Sequence, residues 1–207
     1  LYTGLNESKQ PCVLVDCREF EEHFVVSYRD FLEALERSVN VLMKRHDGLR
    51  RYLRGIKGVT VGDFGVQFSF ETEPRSSVIA LLRQLNSWGT DRDSRVVLAF
   101  DEAQELRRVR GLNIQSVLAY TYDRLKNVVT VLTGSQVGML HRFLRIENPE
   151  TPLYGRSAAT IAVRRLSDTE ALDFLAKGFA QSGISASRDV LEYCVQRLDG
   201  IPGWLTS

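Results

Sequence analysis

The sequence predicts an α/β fold: a parallel β-sheet flanked by helices, interrupted by a β-hairpin and followed by a purely helical segment. Three observations predict it. The stretches Arg95 to Glu102 and Val128 to Ser135 carry apolar runs, as strands buried on both faces of a parallel sheet do. Segments with apolar residues at three- and four-residue steps separate the strands, which is the helical period. Beyond Leu166 no strand signal remains, so residues 1–165 are expected to form an α/β core and 166–207 a helical lid.

Taken in order, Pro11 leads into Cys12-Val13-Leu14-Val15-Asp16, a short buried strand ended by charge. From Ser27 to about His46, Tyr28, Phe31, Leu32, Leu35, Val39 and Leu42 mark an amphipathic helix with Ser27 as its N-cap. Residues 55–71 alternate around Gly62-Asp63 (Val59, Val61, then Phe64, Val66, Phe68, Phe70), which predicts the hairpin. Ser76 or Ser77 opens a helix with Val78, Leu81, Leu82, Leu85 and Trp88 on one face. A further helix carries Ile114, Val117, Leu118, Tyr122 and Leu125, and another runs from Gln136 to Phe143. Pro149 to Gly155 is a loop, and Thr160-Ile161-Ala162-Val163 is expected as a last strand. Ser167 and Glu170 form a capping box before Ala171, Phe174, Leu175 and Phe179. Ser185 or Ser187 starts a helix through Leu198, Asp199-Gly200 ends it, and Pro202 sits at the first turn of the next.

Composition excludes several classes. The 207 residues are 43% hydrophobic and 26% charged, as in ordinary globular chains rather than disordered or collagen-like ones. A net charge of +1 does not support a protein held to nucleic acid by overall charge. Of the 27 basic residues only Lys9, Lys44, Lys57, Lys126 and Lys177 are lysine, leaving 22 arginines, a bias that indicates no particular chemistry. No apolar run reaches the ~20 residues of a membrane helix. Three unpatterned cysteines (Cys12, Cys17, Cys194) and an opening Leu-Tyr-Thr-Gly without a basic start lead to the expectation of free thiols and a cytoplasmic location. His23, His46 and His141 have no metal-ligand spacing. A chain that begins at Leu1 and stops at Ser207 reads as an excised piece of something longer.

Asp101-Glu102 is the sharpest chemical signal. In an open parallel sheet, ligands bind beyond the carboxyl ends of the strands. One carboxylate there can hold a hydrated Mg²⁺, and a second can orient and deprotonate an attacking water. The competing reading is a strand that merely leaves the core. Thr133-Gly134-Ser135 ends the next strand with hydroxyls, placed to sense a phosphate or simply to cap the helix at Gln136. Arg156, after Pro152-Leu153-Tyr154-Gly155, is either a cation for phosphoryl transfer or a surface arginine. Gly200-Ile201-Pro202 either brings backbone to a nucleotide or only separates two helices.

Four stretches in order, Val-Leu-Ala-Phe-Asp-Glu-Ala-Gln at 97–104, Val-Leu-Thr-Gly-Ser-Gln-Val-Gly at 131–138, Pro-Leu-Tyr-Gly-Arg at 152–156 and Asp-Gly-Ile-Pro-Gly-Trp-Leu at 199–205, resemble archaeal-type ATPases of the P-loop AAA+/STAND group. The resemblance implies a P-loop NTPase-like sheet and ATP with Mg²⁺ as ligand. It implies Asp101 on Mg²⁺ through water, Glu102 as catalytic base, Thr133 or Ser135 as sensor, Arg156 as arginine finger, and Gly200 and Pro202 as lid contacts. It departs in one respect. No lysine here is preceded by Gly or followed by Ser or Thr, so the Gly-x-x-x-x-Gly-Lys-Ser/Thr loop is absent from residues 1–207. That loop and the family's first strand are expected upstream of Leu1, with Leu1 to Leu5 ending the helix that follows the loop. Little or no hydrolysis is expected from residues 1–207 alone. Three functions follow: Mg-dependent ATP hydrolysis coupled to conformational change, a nucleotide-gated STAND-type switch or scaffold with negligible turnover, or a DNA-associated ATPase in which Arg50, Arg51, Arg54 and Lys57 flank the hairpin. ATP or ADP is the expected partner, a homo-oligomer is open, and no membrane is expected.

Overall fold

The computed structural model describes residues 10–46, 48–62, 65–69 and 73–205. They belong to two compact units, Leu1–Ser157 and Ala158–Ser207. Leu1 to Leu5 and three hairpin residues named above (Asp63, Phe64, Phe70) lie outside the described residues.

The first unit is built on three parallel strands, β1 (Cys12–Asp16), β5 (Val96–Asp101) and β7 (Val128–Leu132), in the order β1-β5-β7. The register pairs Asp16 with Asp101 and Phe100 with Leu132. All three carboxyl ends therefore meet at one edge of the sheet. Burial follows the apolar runs on β1 and β5, where Val13, Val96, Leu98, Ala99 and Phe100 are shielded; β7, expected to be buried on both faces, shields only Val128 and leaves Val129 37% exposed, because it lies at the edge of the described sheet.

Helices cover the sheet. Helix α1 (Tyr28–Arg45) starts at Ser27, whose hydroxyl accepts from the Asp30 N–H while the Asp30 carboxylate accepts from the Ser27 N–H. It buries Phe31, Leu32, Leu35, Val39 and Leu42 and packs on β1 and on the hairpin strand Gly65–Phe68. A two-residue parallel pair joins β2 (Val26–Ser27) to β6 (Val109–Arg110). Short α2 (Leu49–Leu53) leads to the antiparallel hairpin of β3 (Val59–Gly62) and β4 (Gly65–Phe68). The Asn40 side chain pins the hairpin, accepting from the Val66 N–H and donating to its carbonyl.

Helix α3 (Pro74–Thr90) opens two residues before the expected Ser76. Glu73 caps it by accepting from the Arg75 and Ser76 N–H groups, and Pro74 brings a preset φ to the first turn. Val78, Leu81, Leu82, Leu85 and Trp88 are buried as the spacing predicts. Helix α4 (Ile114–Arg124) is capped by Asn113; it buries Ile114, Val117 and Leu118 but turns Tyr122 outward. Helix α5 (Val137–Leu144) follows β7.

The second unit holds α6 (Asp168–Gln181), α7 (Arg188–Leu198) and α8 (Pro202–Leu205) around Ala171, Leu175, Val195 and Leu205. Ser167 and Glu170 form the predicted capping box of α6. The expected strand at 160–163 is not formed: residues 158–166 are in no described strand, and Ile161 and Val163 are 87% and 89% exposed. An Ile-x-Val alternation becomes a strand only where a ladder partner takes its backbone groups, and no described strand offers one. No described helix is long and apolar enough to cross a membrane.

Candidate functional site

The site forms where β5 and β7 end together. Asp101 is the last residue of β5, and Glu102 follows with φ 50 and ψ 47, a left-handed conformation uncommon for a residue with a side chain. This reversal turns the chain into the 3₁₀ segment Ala103–Arg108. Backbone bonds lace the two strand ends past the sheet: Thr133 N–H donates to the Phe100 carbonyl (3.0 Å), and Ala103 N–H to the Thr133 carbonyl (2.8 Å).

Side chains complete the lacing. The Thr133 hydroxyl donates to Asp101 Oδ1. Glu102 Oε2 accepts from Ser135 Oγ (2.9 Å), from the Ser135 N–H (3.2 Å) and from Gln104 Nε2 (2.5 Å). Partial burial pushes the Glu102 carboxyl upward, but Gln104, Ser135 and the nearby charge of Arg18 outweigh it and hold the group below the ordinary glutamate range. Ser135 does not cap α5: Gln136 occupies that position, without a side-chain bond. Its side-chain and backbone contacts run to Glu102 instead.

Residues outside the sequence prediction also line this edge. Gln104 is fully buried. Its position after Asp101-Glu102 was visible, but its direction depends on the backbone reversal at Glu102. Asp16 sits beside Asp101 through the strand register, and Arg18 grips it through Nε (2.8 Å) and Nη2 (2.5 Å). The guanidinium holds the Asp16 carboxyl below its usual range, and Asp101 and Glu102 add to the upward shift of Arg18. The sequence signal for this pair was a charged end, Asp-Cys-Arg, on an apolar strand.

Arg156 is held elsewhere. Its Nε and Nη2 fork onto Asp123 at 3.0 and 2.6 Å, and Nη1 donates to the carbonyls of Pro152 and Tyr154. Asp123 lies in the last turn of α4, just before β7 begins, so this fork sits toward the amino end of the sheet. The structure does not bring Arg156 to the acid pair. Gly200 and Pro202 belong to the second unit. There Gly200 has φ +62, a Cβ on it would lie 2.2 Å from the Leu166 carbonyl oxygen, and the Leu166 N–H donates to the Gly200 carbonyl (2.8 Å). Pro202 begins α8.

The acid pair and hydroxyl offer hard oxygen donors, with no described group of three or more His, Cys, Asp or Glu side chains gathered for a metal. That suits Mg²⁺, which is held by one or two carboxylates plus water and substrate phosphate rather than by an all-protein cage. Asp101 would hold it, with Thr133 beside it.

Comparison with known proteins agrees with this geometry. Residues 15–207 match the model of an ATPase domain found predominantly in Archaea. A solved structure described as a Walker-type ATPase of Pyrococcus abyssi superposes with a TM-score of 0.74 at 33% identity, covering 96% of this chain and 54% of that one. The chain thus spans about half the length of that protein. No curated protein sequence matches it. With the strand-end acid pair, the parallel sheet and the matching domain model in agreement, the chain belongs to the family of ATPase domains found predominantly in Archaea.

Proposed function

We propose that the chain supplies the acid pair of a Mg-dependent ATPase whose hydrolysis drives a conformational change. One observation carries this reading: Asp101 and Glu102 meet Thr133 and Ser135 at the shared carboxyl edge of β5 and β7. Bound Mg²⁺ supplies charge neutralisation on the phosphates. Asp101 would hold that ion through water, with the Thr133 hydroxyl fixing one carboxylate oxygen. Glu102 orients a water toward the terminal phosphate and takes its proton as the water oxygen bonds to phosphorus and ADP departs. Thr133 and Ser135 face the same edge as sensors, and Gly200 and Pro202 are the candidate lid contacts in the second unit. Arg156 stays paired with Asp123, away from the acid pair of its own chain.

The test is turnover of the intact protein with Glu102→Gln. The expected result is a loss of about 10²–10⁴-fold in kcat with Mg-ATP still bound, the usual contribution of a general base. Unchanged turnover in a variant that binds Mg-ATP would remove Glu102 from this role.

A second reading, a nucleotide-gated STAND-type switch with negligible turnover, is favoured by the three donors on Glu102, which weaken it as a base. It predicts nucleotide retained through purification and an oligomeric state that follows ATP or ADP. An oligomeric state indifferent to nucleotide counts against it.

A further inference from the structure

The short parallel pair of β2 and β6 carries a surface that the acid pair does not use. Its register sets Val26 beside Val109 and Ser27 beside Arg110; continued two positions back, it brings Phe24 beside Arg107. Phe24 is 93% exposed, and Arg29, Arg107 and Arg110 are exposed as well. An aromatic ring left in water forgoes the gain of burial, yet this ring does not sit on a loose tip. Arg108 Nη1 donates to the His23 carbonyl (2.7 Å), one residue before Phe24, and Arg108 is itself paired with the buried Glu105. Burying such a pair costs desolvation, and here it fixes the backbone from which Phe24 projects. Past β2, the Tyr28 ring lies against the backbone of Gly111, where a Cβ would meet it at 2.8 Å, and the Arg29 guanidinium stands 5.9 Å from the ring centre. Guanidinium and aromatic groups are thus interleaved around this pair of strands.

We infer that this strip binds single-stranded nucleic acid, with a base stacked on Phe24 and phosphates held by Arg29, Arg107 and Arg110. An aromatic face stacks on any base, and a guanidinium pairs with phosphate oxygens through its planar fork. A protruding ring reaches a base face only where the bases are unpaired, which favours a single strand over a duplex. An anionic lipid surface also attracts arginine, but Phe24 and Val25 offer little apolar area to insert into one. Glu21 and Glu22, exposed just before His23, repel an anion and confine its binding to the strip. With a net charge of +1 the chain has little long-range attraction for a polyanion, so affinity rests on these contacts. The inference needs neither Mg²⁺ nor hydrolysis and stands or falls apart from the ATPase reading.

The experiment measures fluorescence anisotropy of labelled oligo(dT) and oligo(U) of about 20 nucleotides with the intact protein, without ATP, over about 50–200 mM salt. Three phosphate contacts give a slope of about −2 in log K against log salt. Phe24→Ala should weaken binding by about tenfold or more and leave that slope unchanged. Arg107→Gln combined with Arg110→Gln should flatten the slope to about −0.7, the value for one remaining contact. Lys177→Gln, on α6 of the second unit, should change neither quantity. A duplex of the same length should bind more weakly than the single strands, and the tighter of the two strands identifies the sugar recognised. Arg110 also donates to the Arg107 and Val109 carbonyls, so Arg29→Gln replaces its variant if that one fails to fold. Four results overturn the inference: neither strand binding in about 50 mM salt, a folded Phe24→Ala variant that binds as the wild type does, an equal loss with Lys177→Gln, or a duplex or phosphatidylserine vesicles bound more tightly than either strand.

Discussion

Two backbone positions show how single residues are tied to their surroundings. Glu102 is held left-handed because the chain must leave β5 and enter the 3₁₀ turn while its carboxylate stays at the sheet edge; such strain costs about 1–3 kcal/mol and persists only where neighbours impose it. Gly200 is the opposite case, a residue chosen for what it lacks. Alanine there meets both the positive φ and a backbone oxygen at 2.2 Å that no side-chain rotation can move away. We expect Gly200→Ala to destabilise the second unit by about 2 kcal/mol or more, read as a lowered urea midpoint for signals from α6 and α7. An unchanged midpoint would mean that the Leu166 segment yields freely. The sequence showed Gly200 as punctuation between helices, and punctuation is what the second unit displays. The nucleotide contact proposed for it was a reading of motif order.

At the level of elements, the α6 start has a consequence for acid stability. Glu170 accepts from Ser167 and from both Nη atoms of Arg164, and these contacts draw its pKa from 4.5 to about 2. Since the folded value is the lower one, the contribution is complete above the unfolded pKa and is lost as pH falls through about 2. NMR titration of Glu170 should therefore show a midpoint near 2, and Arg164→Ala should raise it toward 4.5; a wild-type midpoint already near 4.5 would show that solvent screens the contact. Elements of this kind were legible because capping and periodicity are local. The α1 capping box, the apolar faces of α1 and α3 and the hairpin alternation all follow from residues within a few positions of one another. The strand expected at 160–163 was not legible, since its existence depends on a partner edge distant in sequence. Tyr122 likewise fits the period of α4, yet its side chain is exposed among the described residues.

For the whole molecule, the two units differ in what they bury. Leu1–Ser157 carries the sheet and a continuous core, whereas the buried apolar set of Ala158–Ser207, among the described residues, is Ala171, Leu175, Val195 and Leu205. A segment this short seldom offsets its chain entropy alone. A peptide of residues 158–207 should show no cooperative melt by circular dichroism; a sigmoidal transition at an ordinary domain midpoint of about 45–65 °C would contradict this. The site divides along a related line. Asp101, Glu102, Thr133 and Ser135 were readable because parallel strands bring consecutive carboxyl ends to one edge. Gln104, Asp16 and Arg18 were not, because they depend on a backbone reversal and on lateral register. The pair of bonds from Ser135 to Glu102 carries one more consequence. By reciprocity, any ligand that draws Ser135 off Glu102 raises the proton affinity of that carboxylate, and so binds with net proton uptake and gains affinity in more acidic solution. Nucleotide occupancy and acidity would then be two handles on one equilibrium, the first felt at the end of β7 and the second at the end of β5.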